Sequence, residues 1–370
     1  MTTDPNWRAR WVGWRNRVLA NERFQKYAAR LPIVGGIARR RARGLFDLLA
    51  GFTYSQIVLA VVESGMLEFL AAKPRDLAAI AVATDLSPSA TERLIHAARA
   101  LDLVQEVAPG WWMLGQQGAV LQANRGVQAM VRHHRLLYAD LADPLGLLKR
   151  DRADPTALST FWTYAHERDE EDASALPYSE LMADSQAMVS SEACAAYDFG
   201  QHESVLDIGG GFGTFASRLA TSYPQLRLGV LDLPEVVAEA GARLESTGLA
   251  DRIALHPGSF FADEIPAGYD CHTLVRIVHD HDDDQVSRIF AASRRALGPG
   301  GKLVVIEPMS AIRGAESVGA HFELYLWAMG TGRPRSEKEI GALCVKAGFS
   351  RWRRVPTGQP IVASVIVAFA

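Results

Sequence analysis

From residue 204 onward, short apolar runs alternate with amphipathic ones. Val205, Leu206 and Ile208 suit a buried parallel strand closed by Asp207, and a helix is expected over 214–221. The strand pattern returns at 226–231, 253–255, 269–278, 302–306 and 361–368, with helices expected over 285–297 and 336–347. Alternation of this kind predicts an α/β fold with a doubly wound, Rossmann-like sheet. Upstream, short helices are expected at 55–64, 68–71 and 76–84, with a longer one capped by Ser87. Apolar runs at 104–107 and 111–114 flank Pro109-Gly110 and read as a small hairpin. Helix, turn, helix and hairpin make a winged-helix pattern. Residues 125–200 read as mostly helical, with a polar loop over 167–172.

These patterns divide the chain into an arm (1–50), a mainly helical winged-helix-like domain (51–124), a helical segment (125–200) and the α/β domain (201–370). A winged helix invites a DNA-binding reading. Its reading helix offers Arg93, His96 and Arg99 against Glu92, a thin footprint for phosphates, so no nucleic-acid partner is expected and a structural or dimerisation role is favoured. Charge changes the picture only in the arm, where eleven basic residues face three acidic ones, +8 in a chain of net −3. Trp7, Trp11, Trp14, Val18 and Leu19 recur there at helical spacing, which suits either an anionic membrane surface or packing against a second copy of the chain.

The longest uncharged apolar run, 48–62, is shorter than the ~20 residues of a bilayer span, and arginines interrupt every apolar run that could form a secretory leader. Cys194, Cys271 and Cys344 are too few and too scattered for a disulfide framework or a metal site, so no metal is expected and a cytoplasmic setting fits. Contact with the periphery of an inner membrane is compatible with the arm.

Residues 204–213, SVLDIGGGFG, carry the chemistry. Glycines at a strand-to-helix turn let backbone amides approach a ligand at the carboxyl end of the sheet. The dinucleotide pattern GxGxxG is not met. About twenty residues on, Asp232 stands where an acid accepts hydrogen bonds from ribose hydroxyls; as a helix cap before Pro234 it would have a plainer role.

VLDIGGGFG, DLPEVV, GSFF, RIVHDHDDD and GPGGKLVVIEPM, in this order, resemble the S-adenosylmethionine-dependent small-molecule O-methyltransferases of the plant caffeate and acetylserotonin type. YSQIVLAVVESGMLEFL, HHRLLYADLADPLGLL, FWTYA, YSELMADSQAMV and MGTGRPRS are similar to one branch, the demethylspheroidene (hydroxyneurosporene) O-methyltransferases of purple bacteria. Those enzymes methylate the tertiary hydroxyl of an acyclic carotenoid.

The resemblance implies S-adenosylmethionine as cofactor, a lipophilic small-molecule substrate and a homodimer formed through the winged-helix domain. It places His279 as general base, Glu307 as the acid orienting its imidazole, and Asp280 as a hydrogen-bonding neighbour that does not take the proton. Asp207, Gly209, Gly211 and Gly213 are expected along the cofactor's methionine and ribose, and Asp232 on the ribose hydroxyls. Leu233, Ser259 and Phe260 are expected at the adenine, and Arg276 near the methionine carboxylate. Phe161, Trp162, Tyr178, Met182, Met188, Phe322, Trp327 and Met329 are expected to wall the acceptor. Two positions depart from the family: His281 replaces a tryptophan, and Pro334 stands where a second acid usually lies. A phenolic polyketide acceptor, carbon methylation of a tetrapyrrole and a winged-helix regulator are the alternatives.

Overall fold

The computed structural model describes residues 6–28, 32–162, 176–314 and 316–370. The chain forms two compact units, residues 1–120 and 121–370. The first holds helices α1 (Asn6–Ala20), α2 (Glu22–Ala28), α3 (Pro32–Glu63), α4 (Met66–Ala71), α5 (Leu77–Thr84) and α6 (Pro88–Ala100). It also holds strands β1 (Arg75–Asp76), β2 (Val104–Ala108) and β3 (Trp111–Leu114), paired in the order β1-β3-β2. Asp76 and Ser87 cap α5 and α6 by accepting from the amides of Ala79 and Ala90, as their residue types dictate. The hairpin turns at Gly110, whose φ of 78° suits glycine.

The expectation of no span-length apolar segment is corrected by α3. Its stretch Gly35–Glu63 is long and apolar enough, by length and composition, to cross a membrane. The run continues through Asp47, where the charge-free criterion stopped. Its last turns pack as a core helix, with Leu59, Val61 and Val62 buried.

After α7 (Gln116–Ala123), the second unit begins with α8 (Arg125–Asp140), α9 (Pro144–Lys149), α10 (Ala157–Phe161) and α11 (Leu176–Ala196). The expected loop over 167–172 lies outside the described residues. Seven strands follow: β4 (Ser204–Ile208), β5 (Arg227–Asp232), β6 (Ile253–Pro257), β7 (Cys271–Val275), β8 (Lys302–Glu307), β9 (Arg351–Val355) and β10 (Ser364–Phe369). Between them lie α12 (Thr214–Ser222), α13 (Pro234–Ser246), α14 (Asp283–Ala296), α15 (Glu316–Met329) and α16 (Glu337–Lys346). The sheet order is β6-β5-β4-β7-β8-β10-β9, parallel except for β10, which runs antiparallel to β8 and β9. Strand order reverses beside β4, so a crevice opens at the carboxyl ends of β4 and its neighbours.

Three expectations are corrected. The strand expected over 269–278 is β7, which stops at Val275 because Arg276 adopts a left-handed φ of 58° and the chain turns into a 3-10 helix, Val278–Asp280. The amides of Ile277 and Val278 leave the ladder and donate to Glu307 Oε1, at 2.8 and 2.6 Å. The final strand begins at Ser364 and not at 361. Strand β9 has no counterpart in the sequence reading, since RWRRV at the sheet edge lacks apolar alternation.

Candidate active site

A cavity that opens to solvent sits over the glycine turn between β4 and α12. Gly209, Gly210 and Gly211 form its floor. A Cβ on Gly209, at φ 68°, would lie 2.6 Å from Ile277 Cδ1, and one on Gly210 would lie 2.8 Å from Asp207 Oδ2. The turn therefore closes only without side chains. Gly213 stands off the cavity as the residue before α12, and its φ of 75° starts that helix.

Asp232 ends β5 at the cavity wall. One carboxylate oxygen accepts from Gly211 N at 2.7 Å and the other from Leu233 N at 2.8 Å. Burial pushes its pKa up to about 6, against the pull of those two amides. The carboxylate is held rigidly at the crevice, and Leu233 lines the wall beside it.

The expectation for Asp207 is corrected. It lies beneath the loop, buried, with Oδ1 accepting from Thr273 Oγ1 at 2.6 Å, and it is not among the cavity-lining residues. Burial raises its pKa to about 7. Its place under Gly210 makes it a support of the turn.

Ser259, Phe260 and Arg276 line the cavity. Ser259 is folded into its loop, its amide donating to Asp263 Oδ2 and its hydroxyl accepting from Phe261 N. Arg276 Nη1 donates to Ser185 Oγ of α11 at 2.6 Å. Ser179, Met182, Ala183 and Gln186 of α11 form a further wall that the sequence reading missed, apart from Met182. The signal was present, because spacings of three and four place these residues on one helix face.

His279, Glu307 and Asp280 come together. Glu307, buried at the end of β8, bonds His279 Nδ1 with one oxygen while the other holds the two freed amides. Asp280 Oδ1 lies 3.0 Å from His279 Nε2, so both imidazole nitrogens face carboxylates. Burial opposes charge on the ring, but Asp280 and Glu307 outweigh it and push the His279 pKa up to about 10.

The turn carrying His279 is clamped from the 331–335 segment. Arg335, 2% exposed, donates to Val278 O at 2.6 Å and to His281 O at 2.7 Å. Arg333 N donates to His279 O at 3.0 Å, and a Cβ on Gly332 would sit 2.1 Å from that same oxygen. Where Pro334 displaces the expected second acid, the segment fixes the His279 backbone.

Of the expected acceptor wall, Phe322 is nearest the chemistry, its ring 5.6 Å from that of His279. Phe161, Trp162, Met182, Trp327 and Met329 join it in one cluster with Tyr325 and Leu137. Met329 is fully buried core, and Trp327 Nε1 is tied to Leu147 O at 3.1 Å. Met188 is 41% exposed beside Asn124, a surface position and not a wall. The side chain of Tyr178 lies outside the described residues. Two further polar members, the 2.8 Å pair His133 Nε2 and Tyr325 Oη, were not anticipated as a pair, since 192 residues separate them.

A model of the O-methyltransferase domain matches residues 138–350. The chain belongs to the O-methyltransferase family. This O-methyltransferase is 38% identical over 356 residues to the demethylspheroidene O-methyltransferase of Cereibacter sphaeroides, covering 95% of this chain and 93% of the relative. It is 38% identical to the enzyme of the same name from Rhodobacter capsulatus, covering 96% and 89%. Among solved structures, the mitomycin 7-O-methyltransferase MmcR superposes with a TM-score of 0.72 at 28% identity, covering 90% of this chain and all of that one. The calicheamicin methyltransferase CalO1, in its S-adenosylhomocysteine-bound form, gives 0.74 at 26%, covering 89% and 98%. The enzyme is S-adenosylmethionine-dependent, and the side-chain-free turn beside the Asp232 carboxylate fits that cofactor.

Proposed function

We propose that this enzyme methylates the tertiary hydroxyl of an acyclic hydroxycarotenoid, with His279 as general base. The observation carrying the acceptor assignment is the 38% identity over nearly the full length to two demethylspheroidene O-methyltransferases. Relatives acting on aromatic acceptors, such as 3-amino-4-hydroxybenzoate 4-O-methyltransferase of Streptomyces cremeus, reach 31% and cover 83% of the chain.

When bound, the cofactor supplies an electrophilic methyl group on a sulfonium. Asp232 would hold its ribose hydroxyls and the glycine turn its backbone-facing side, while Phe260 and Leu233 enclose the base. Methyl transfer needs the acceptor oxygen aligned and its proton removed. In neutral His279 the Nε2 lone pair and the Asp280 oxygen repel, so Asp280 turns aside and the acceptor hydroxyl donates to Nε2 in its place. Glu307 keeps the proton on Nδ1 and stabilises the imidazolium that forms. A phenol of pKa ~10 needs little help to ionise, whereas an aliphatic alcohol is a far weaker acid. With Asp280 turned aside, Glu307 remains to favour the imidazolium and strengthens the base that an alcohol requires. Proton removal and methyl transfer are therefore concerted.

With methyl-labelled S-adenosylmethionine, label is expected in a 1-hydroxylated acyclic carotenoid and not in simple phenols. Labelling of the phenols alone would overturn the acceptor assignment.

The arm supports delivery of such a lipophilic acceptor. Trp7, Trp11 and Trp14 are 74%, 53% and 57% exposed along α1 among Arg8, Arg10, Arg15 and Arg17. We propose that α1 lies on an anionic lipid surface, placing a cytoplasmic enzyme at the periphery of the inner membrane. The exposed Phe46, Leu49 and Phe52 of α3 then form the homodimer surface. Replacing all three arm tryptophans by serine should abolish flotation with anionic vesicles while light scattering still gives the mass of a dimer. Undiminished flotation would remove the arm from lipid binding, and a monomer mass for the unmodified chain would remove the dimer.

A further inference from the structure

Arg335 is 2% exposed, and a guanidinium in the interior carries a desolvation cost that an apolar side chain of similar size would avoid. Burial draws its pKa below the ordinary arginine value, against the support of Asp283. That partner is 48% exposed, so the ion pair does not account for a cation placed this deep. The backbone around it does.

The chain leaves β7 at Val275, and the turn that follows has carbonyls outside the sheet ladder. The guanidinium meets two of them, one on each side of His279, with Nη1 donating to Val278 O and Nη2 to His281 O. Its Nε donates to Asp283 Oδ1 at 2.8 Å, at the start of α14. The main chain of Arg335 is fastened elsewhere. Its carbonyl accepts from Ser310 N at 2.9 Å, just beyond Glu307 at the end of β8. One residue therefore ties the turn bearing the imidazole to the strand end bearing the acid that bonds it. A planar fork of N–H donors makes these contacts together, whereas an ammonium on a flexible stem is a point charge.

We propose that Arg335 is a positioning residue for methyl transfer, holding the His279 turn against the end of β8 so that the imidazole keeps one aim. The groups facing the ring are Asp280 of its own turn, Glu307 from β8 and neutral His281 beside it. A loosened turn draws the ring away from the two carboxylates and lowers its affinity for a proton. It also spoils the alignment of base and acceptor, which a small displacement is enough to do.

The inference rests on His279 as general base, and His279→Ala beside Arg335→Lys separates the two claims. The lysine keeps the charge and loses the fork. Two readouts need no acceptor: calorimetry with S-adenosylhomocysteine, and titration of the His279 ring-nitrogen resonances in isotope-labelled enzyme. Arg335→Lys should bind S-adenosylhomocysteine within about twofold of wild type and titrate His279 at least about half a unit lower. Loss of positive charge alone would raise that midpoint, so the direction separates aim from electrostatics. With methyl-labelled S-adenosylmethionine and a 1-hydroxylated acyclic carotenoid, kcat should fall about tenfold while the acceptor KM stays within about threefold. An unmoved or raised midpoint overturns the proposal, whatever kcat does, and leaves the base reading to His279→Ala. Undiminished turnover in His279→Ala overturns the base reading, and the proposal with it. If Arg335→Lys does not fold, Asp283→Glu keeps every charge and moves the carboxylate that orients Nε. It should lower the midpoint and reduce kcat about threefold; if neither changes, the proposal is overturned equally.

Discussion

His279→Ala is expected to keep S-adenosylhomocysteine affinity within about twofold and to lose roughly 10²–10⁴ of turnover, the range a positioned general base supplies. Affinity should survive because the imidazole is not among the cavity-lining residues: its nitrogens face Glu307 and Asp280, and its ring packs near Phe322. Turnover should fall because the other imidazole at this turn, His281, faces Phe260 and Phe261. Calorimetry with single-turnover kinetics separates the two quantities. Unchanged turnover would take His279 out of the base role, and lost affinity would make it a structural part of the cavity.

Glu307→Gln should change the shape of the pH profile as well as its height. The competent form of the base is the neutral one, so activity of the unmodified enzyme should climb with pH toward the His279 pKa of about 10. Two carboxylates raise that value against the opposing effect of burial, and removing one must lower it. The rising limb of kcat/KM in Glu307→Gln should therefore move to lower pH by at least about one unit. Its plateau should drop ten- to a hundredfold, since a weaker base draws less on the proton and Glu307 Oε1 also anchors the turn through Ile277 and Val278. Asp280→Asn should shift the limb the same way. A profile that keeps its position while falling in height would show that Glu307 acts through the backbone alone.

The sheet, the glycine turn and the placing of Asp232 at a strand end were legible because each belongs to a local pattern, whereas the pairing of His279 with Glu307 was expected only from the resemblance to a family. Apolar runs have the strand period, and catalytic and binding side chains in a doubly wound sheet sit at strand ends, where the chain turns. Less legible was anything depending on which way a side chain faces. Asp207, adjoining the glycines, reads as a cofactor ligand, yet a hydrogen bond from Thr273 holds it under the loop. Met329 and Met188 look equally suited to an apolar wall, but one is core and the other surface. Strand β9 escaped because an edge strand rich in arginine has the composition of a loop.

Sequence alone determined the fold class and the glycine turn, since these follow from short-range periodicity and from residues at strand ends, and its motifs carried the resemblance that named the family and pointed to His279 and Glu307. Tertiary structure alone decided that Asp280 meets Nε2, that α11 roofs the cavity and that buried Arg335 grips the turn from more than fifty residues away. The reason is physical. A strand or helix is specified by interactions within a few residues, whereas the charge, orientation and partners of a buried side chain are set by whatever distant segment packs against it and excludes water.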